Sequence, residues 1–189
     1  MAGNQSDGAE LHDCYRATVS CDPGLLRLYS EILNKFGTEG FSRHVAFLTR
    51  TLGQEIASAS PSVEPARLRE ILGGLSALRG LDTVHECCEK MVNRIQRRSM
   101  IDITPAAVMR QLLPLVEDAV PSPSKIIAIP ERFGISSVRL DLQIAVLRES
   151  RNLLAMIPVG AYRNLEARIK TLQAVEAAMD FRIEQEESA

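Results

Sequence analysis

The segment SSVRLDLQIAVLRESRNLLAMIPVGAYRNLEARIKTLQAVEAAMD, residues 136–180, decides the fold. Its apolar residues fall in two interleaved rows at helical spacing, Val138, Leu142, Val146 and Leu153 beside Leu140, Ile144, Leu147 and Leu154. A helix with two such rows must be covered on both flanks, so residues 136–157 are expected to form the central helix of a bundle. Pro158 and Gly160 interrupt it, and Asn164 opens a second amphipathic helix reaching about Glu186. On that helix Leu165, Ile169, Leu172, Val175, Met179 and Ile183 are expected to face inward.

Upstream, Phe133-Gly134-Ile135-Ser136 reads as a turn after a short helix over residues 124–133. Pro121-Ser122-Pro123-Ser124 ends the helix before that one, which carries Val108, Leu112, Leu113 and Val116 and starts at the cap-plus-proline pair Thr104-Pro105. Four more helices precede it. The first starts at Asp22-Pro23, carries Leu25, Leu28, Tyr29, Ile32, Leu33 and Phe36, and ends at Gly37; the second carries Phe41, Val45, Leu48, Leu52 and Ile56. The third, with Leu68, Ile71, Leu72, Leu75 and Leu78, is expected to stop at Gly80, where Asp82 caps a fourth with Val84, Cys88, Met91 and Ile95. No period-two alternation competes. The expected fold is therefore all-α, tandem helical bundles in an elongated rod, with a flexible segment at 1–21, one bundle at 22–99 and another at 104–187.

Composition narrows the function. The 189 residues are 46% hydrophobic and 24% charged, an ordinary globular balance, with a net charge of −2. Such a chain has no long-range field to attract nucleic acid or an anionic membrane. Aromatics make up 4% and Trp is absent, which leaves no row of stacking platforms for single strands. Cys14, Cys21, Cys87 and Cys88 are scattered or adjacent, as in a reducing compartment. No apolar run spans a bilayer and no general-secretory signal opens the chain, so a soluble protein without membrane insertion is expected.

Chemistry has little support. His12, His44 and His85 lie in different segments, no Ser or Cys sits in a nucleophile motif, and no glycine loop follows a strand. We expect no enzyme, no cofactor and no metal. In the cluster His85-Glu86-Cys87-Cys88, Cys88 is expected to be a small core residue and His85 an exposed one. Lys90, Arg94, Arg97 and Arg98 form a basic strip that could bind an acidic partner or phosphate, although cations at a helix C-terminus also complement its dipole. Residues 126–147 imitate a helix-turn-helix around Phe133-Gly134-Ile135-Ser136, but Pro130 falls inside the would-be first helix and Asp141 sits beside Arg139 on the would-be reading face.

The order of pieces in the last third is more specific than any one of them. Ile129-Pro130-Glu131-Arg132-Phe133-Gly134-Ile135, then Ile157-Pro158-Val159-Gly160-Ala161-Tyr162, then Ala174-Val175-Glu176-Ala177-Ala178-Met179-Asp180 and Glu184-Gln185-Glu186-Glu187 resemble the TyeA-type C-terminal domain of type III secretion gatekeepers. Leu28-Tyr29-Ser30-Glu31-Ile32-Leu33, Phe36-Gly37-Thr38-Glu39-Gly40-Phe41, Pro65-Ala66-Arg67-Leu68 and Leu75-Ser76-Ala77-Leu78 resemble the preceding domain of the HrpJ, SepL, InvE and YopN group. The resemblance implies a non-enzymatic virulence regulator that sets the order of translocator and effector export through protein–protein contacts. It implies the export gate's cytoplasmic domain, secretion chaperones and translocator cargo as partners. It places the protein in the bacterial cytoplasm at the secretion apparatus, with secretion or surface association as the alternative. Members of that family carry a secretion signal and a chaperone-binding region ahead of these domains, and about 21 polar residues precede Asp22 here, as in a fragment, a shortened relative or a split protein. The competing functional readings are a helix-turn-helix DNA-binding transcriptional regulator and a plain dimerisation bundle. On the gatekeeper reading, the protein-binding residues are expected on the polar face of the last helix, at Glu166, Arg168, Lys170, Glu176, Asp180 and Glu184.

Overall fold

The computed structural model describes residues 25–58, 64–117 and 121–189. Over them the chain is all-α, with seven α-helices and one 3-10 turn. These are α1 (Leu25–Ala57), α2 (Pro65–Ser99), α3 (Pro105–Glu117), α4 (Pro123–Ile127), α5 (Ile129–Arg132), α6 (Leu140–Met156), the 3-10 turn Val159–Ala161, and α7 (Leu165–Glu187). The segment 1–21, expected to be flexible, and the start at Asp22-Pro23 lie outside the described residues. The chain divides into two compact units between Asp82 and Thr83, inside α2.

In the first unit, α1 is kinked where its helical periodicity was expected to break. Gly37 has φ 71° and ψ −172°, a pair open to glycine and strained for other residues. Three residues on, a Cβ at Gly40 would lie 2.3 Å from the Cβ of Phe36, so the kink brings a side chain down onto a position that has to be bare. Beyond it Phe41 meets Tyr29 edge-on, with ring centroids 4.8 Å apart, and both rings are buried with Leu26, Ile32, Leu48 and Leu52. The Arg67 Nε donates to Glu55 at 2.8 Å and ties the start of α2 to the end of α1.

The expected break at Gly80 is absent, since α2 runs unbroken from Pro65 to Ser99. Gly in a helix interior costs about 1 kcal/mol, but Leu78, Leu81, Val84 and Cys88 are all buried around it. Opening the helix there would leave backbone amides unpaired beside a packed core. The outward turn of Leu68 and Leu72, which are 38% and 52% exposed, corrects their expected inward placement; Ile71 and Leu78 carry the packing.

In the second unit α2 ends at Ser99, Met100 just after it has φ 59°, and the Gln96 side chain donates to the Ile103 carbonyl. Thr104 then caps α3 as expected, its Oγ1 accepting from the Ala107 amide at 3.2 Å. The short helix expected over 124–133 is two pieces, because Pro130 ends α4 and takes a first-turn position in α5, where its missing N–H costs nothing. Gly134 has φ 83°, the Ile135 amide donates to the Pro130 carbonyl at 3.0 Å, and the buried Gln143 Nε2 donates to the Ile135 carbonyl at 3.4 Å. The central helix α6 buries Leu142, Ile144, Val146, Leu147, Leu153 and Leu154, as its two rows require. It begins at Leu140, and Val138 is left 82% exposed ahead of it.

Candidate functional site

The placement of α7 determines which of its side chains are available to a partner. Asn164 caps it, its Oδ1 accepting from the Ala167 amide at 2.7 Å. Just upstream, the buried Tyr162 donates its hydroxyl to the Leu154 carbonyl at 2.6 Å, fastening the connector to the end of α6. Burial holds the Tyr162 phenol well above its ordinary pKa, and the nearby Arg168 charge only partly opposes this. The most extensive helix pairing in this unit is α6 with α7, and α3 and α4 also reach α7.

The face that α7 buries is not the expected one. Ala167, Thr171, Val175, Ala178 and Arg182 point into the core, and of the expected inward stripe only Val175 is among them. Leu165 and Ile169 are 56% and 46% exposed, and Leu172, Met179 and Ile183 are half-buried. Bulk misled the periodicity argument: small Ala167, Thr171 and Ala178 let the neighbouring backbones come close, and Thr171 Oγ1 reaches the Leu115 carbonyl at 3.3 Å. The buried Arg182 donates to Gln185 at 2.8 Å and has Glu131 of α5 at 3.8 Å.

The expected binding residues divide accordingly. Glu166 and Lys170 are exposed and form an i,i+4 ion pair at 2.7 Å. The hydrogen bond from Lys170, followed by its charge, holds the Glu166 carboxyl below the usual range. Arg168 is half-buried and donates to the Ala155 carbonyl. Glu176 is half-buried too and accepts from Arg151 of α6 at 2.5 and 2.8 Å. Both therefore bind α7 to α6, not to open solvent. Asp180 and Glu184 are exposed. Glu184 also lines a shallow hollow with Ser137, Leu140 and Phe181, the last of these 45% exposed. Phe181 had no signal in the apolar stripe, because its angular position lies away from that row.

Two other features differ from expectation or bear on the competing readings. His85 is buried, not exposed, with Nε2 4.0 Å from Glu89. It lies one turn from the buried Cys88 on the face of α2 that carries Val84, Met91 and Ile95, and that face is core. No group of three or more His, Cys, Asp or Glu residues is placed to hold a metal among the described residues. The helix-turn-helix imitation resolves into a four-residue α5 and an α6 that buries two adjacent rows.

Residues 106–188, which span α3 to α7, match the TyeA family model. Over that stretch the chain is similar to the TyeA family. Over 107 residues the chain is also 22% identical to the hypersensitivity response secretion protein HrpJ of Pseudomonas syringae pv. syringae. That match covers 56% of this chain and 31% of HrpJ, so the chain spans about a third of the length of the curated relative it matches. The TyeA match and the HrpJ relative together support assignment to the type III secretion gatekeeper family. No helix of the described residues is long and apolar enough to cross a membrane.

Proposed function

We propose that this chain is a non-enzymatic gatekeeper that sets the order of translocator and effector export through the outer face of α7. The observation that carries the reading is the match to the TyeA family over residues 106–188, a region whose last helix leaves Asp180, Glu184 and Phe181 outward while Arg168 and Glu176 hold it to α6. A rigid helix with mixed charge and an exposed aromatic suits partner choice and orientation. The partners in this reading are the cytoplasmic domain of the export gate, secretion chaperones and translocator cargo, met in the bacterial cytoplasm at the apparatus. The separate bundles over 22–99 and 104–187 and their elongated arrangement belong to the same proposal.

The test is a secretion assay in a strain lacking the native protein, complemented with wild type or with Asp180→Lys plus Glu184→Lys. Glu176 is left intact because reversing it would place a lysine against Arg151. Deletion is expected to change the ratio of translocator to effector export, and the double reversal to reproduce part of that change with the protein still folded. If deletion alters neither class of export, the gatekeeper reading fails. If deletion matters and the reversals do not, the choice of face fails.

A further inference from the structure

A cleft of about 380 Å³ opens in the second unit between the last turns of α2 and the outer side of α6. Its floor includes Ile95, Ile135 and Val146, and its rim carries Arg94, Arg98, Arg148 and Glu149. Arg94 and Arg98 lie one helical turn apart on α2, and Arg148 faces the same space from α6. Three guanidinium groups and one carboxylate leave this lining with a net charge of +2 (3 − 1). Like charges at one-turn spacing repel, so the arrangement costs energy while no anion is present.

One carboxylate already occupies part of the rim. Glu149 takes the Arg94 guanidinium in a salt bridge. Arg98 and Arg148 are exposed and make no hydrogen bond or ion pair within the described protein. Dipole complementation at the end of α2 accounts for Arg97 and Arg98 but not for Arg148, which sits in the middle of α6. The fork of an arginine matches a carboxylate with two parallel hydrogen bonds. An apolar floor between such forks is of little use to a bare inorganic anion and suits an aliphatic side chain next to an acidic one. The volume falls in the ordinary range of ligand clefts, about 300–1,000 Å³.

We propose that this cleft is a docking site for an acidic, amphipathic peptide segment of a partner protein. Arg98 and Arg148 hold its carboxylate, and an adjacent Leu- or Ile-like side chain rests over Ile135 and Val146. The site lies apart from the outer face of α7 and does not depend on the secretion reading, so failure of either leaves the other standing.

The probe is a fluorescein-labelled helical peptide with Leu at i, i+3 and i+4 flanked by Glu, measured by fluorescence anisotropy against the full chain. The same peptide with Gln in place of Glu serves as its partner. The acidic peptide is expected to bind and the Gln peptide to bind at least about tenfold more weakly, the loss of one good charge-assisted contact. Arg98→Glu and Arg148→Glu are each expected to weaken binding by a similar factor. Arg97→Glu, on the same turn but outside the lining, changes it less than about twofold. Glu149→Gln, which frees Arg94, tightens it. If either reversal disturbs the far-UV circular dichroism, Arg98→Gln and Arg148→Gln take its place. Equal binding of the two peptides, equal loss with Arg97→Glu, or binding of pyrophosphate without the acidic peptide would each overturn the proposal. Self-association of the chain that these reversals abolish, without peptide binding, would overturn it in favour of a second copy.

Discussion

Ala178→Leu and Ile169→Gln together test which side of α7 faces the core. Ala178 is 4% exposed on the buried row, where a Leu adds three carbons to a space already filled by close helix approach. Overpacking of that kind costs about 1–3 kcal/mol. Ile169 is 46% exposed, so only about half of the ~2–3 kcal/mol gained by fully burying an Ile is at stake. Glutamine keeps part of the aliphatic stem and forms helix at least as well as Ile, so the net loss is below about 1 kcal/mol. Urea unfolding followed by far-UV circular dichroism gives the midpoints, and hydrogen exchange of α7 amides localises the effect. The stripe read from the sequence orders the pair the other way, with Ile169 in the core and Ala178 outside it. A larger loss for Ile169→Gln than for Ala178→Leu would refute the rotation seen here.

Three further outcomes follow from single positions. Burial, then the neighbouring charges of Cys87 and Glu89, raises the Cys88 thiol from 9.0 to about 12. Its contribution to stability is therefore complete below about pH 9 and is lost as pH rises from there through 12; Cys88→Ala should reduce the alkaline slope, and what is left above about pH 10 includes the buried Tyr162 phenol. Thiol mapping by mass spectrometry should find half-buried Cys87 modified well before Cys88. Tyr162→Phe leaves the Leu154 carbonyl without its hydroxyl donor and should cost about 1–3 kcal/mol, read from thermal or urea unfolding. Gly40→Ala would set a methyl 2.3 Å from the Cβ of Phe36; a loss of at least about 1 kcal/mol is expected, and a neutral result would show that the kink differs from the one described.

Where glycine and proline carry backbone constraints, the sequence was a good guide. Gly37, the Thr104-Pro105 start, the Phe133-Gly134-Ile135 turn and the Asn164 start all mark breaks or helix starts in the structure. Gly80 shows the limit of that rule, because buried neighbours on both sides outweigh a propensity penalty of about 1 kcal/mol. The two rows of α6 were legible because a helix covered on both flanks leaves little freedom in phase. The phase of α7 was not legible. Its core row is made of Ala, Thr and Val with an Arg at the end, and hydrophobicity ranks that row below Leu165, Ile169 and Leu172. The candidate site inherited that error. Arg168 and Glu176 read as free surface charges, and only the packing of α6 shows that they are bound. Arg148, by contrast, had no reason to be grouped with the basic end of α2 until the two helices were seen to share a cleft.

The kink at Gly37 also has a stereochemical consequence. Its dihedrals, φ 71° and ψ −172°, mirror those of an ordinary extended L-residue near −71° and 172°. The chain thus asks at this point for a residue of the opposite hand, and glycine serves because it has none. In torsional terms a D-alanine introduced by chemical ligation would sit there unstrained. It would also narrow the unfolded ensemble, whereas the L-enantiomer would resist the same turn.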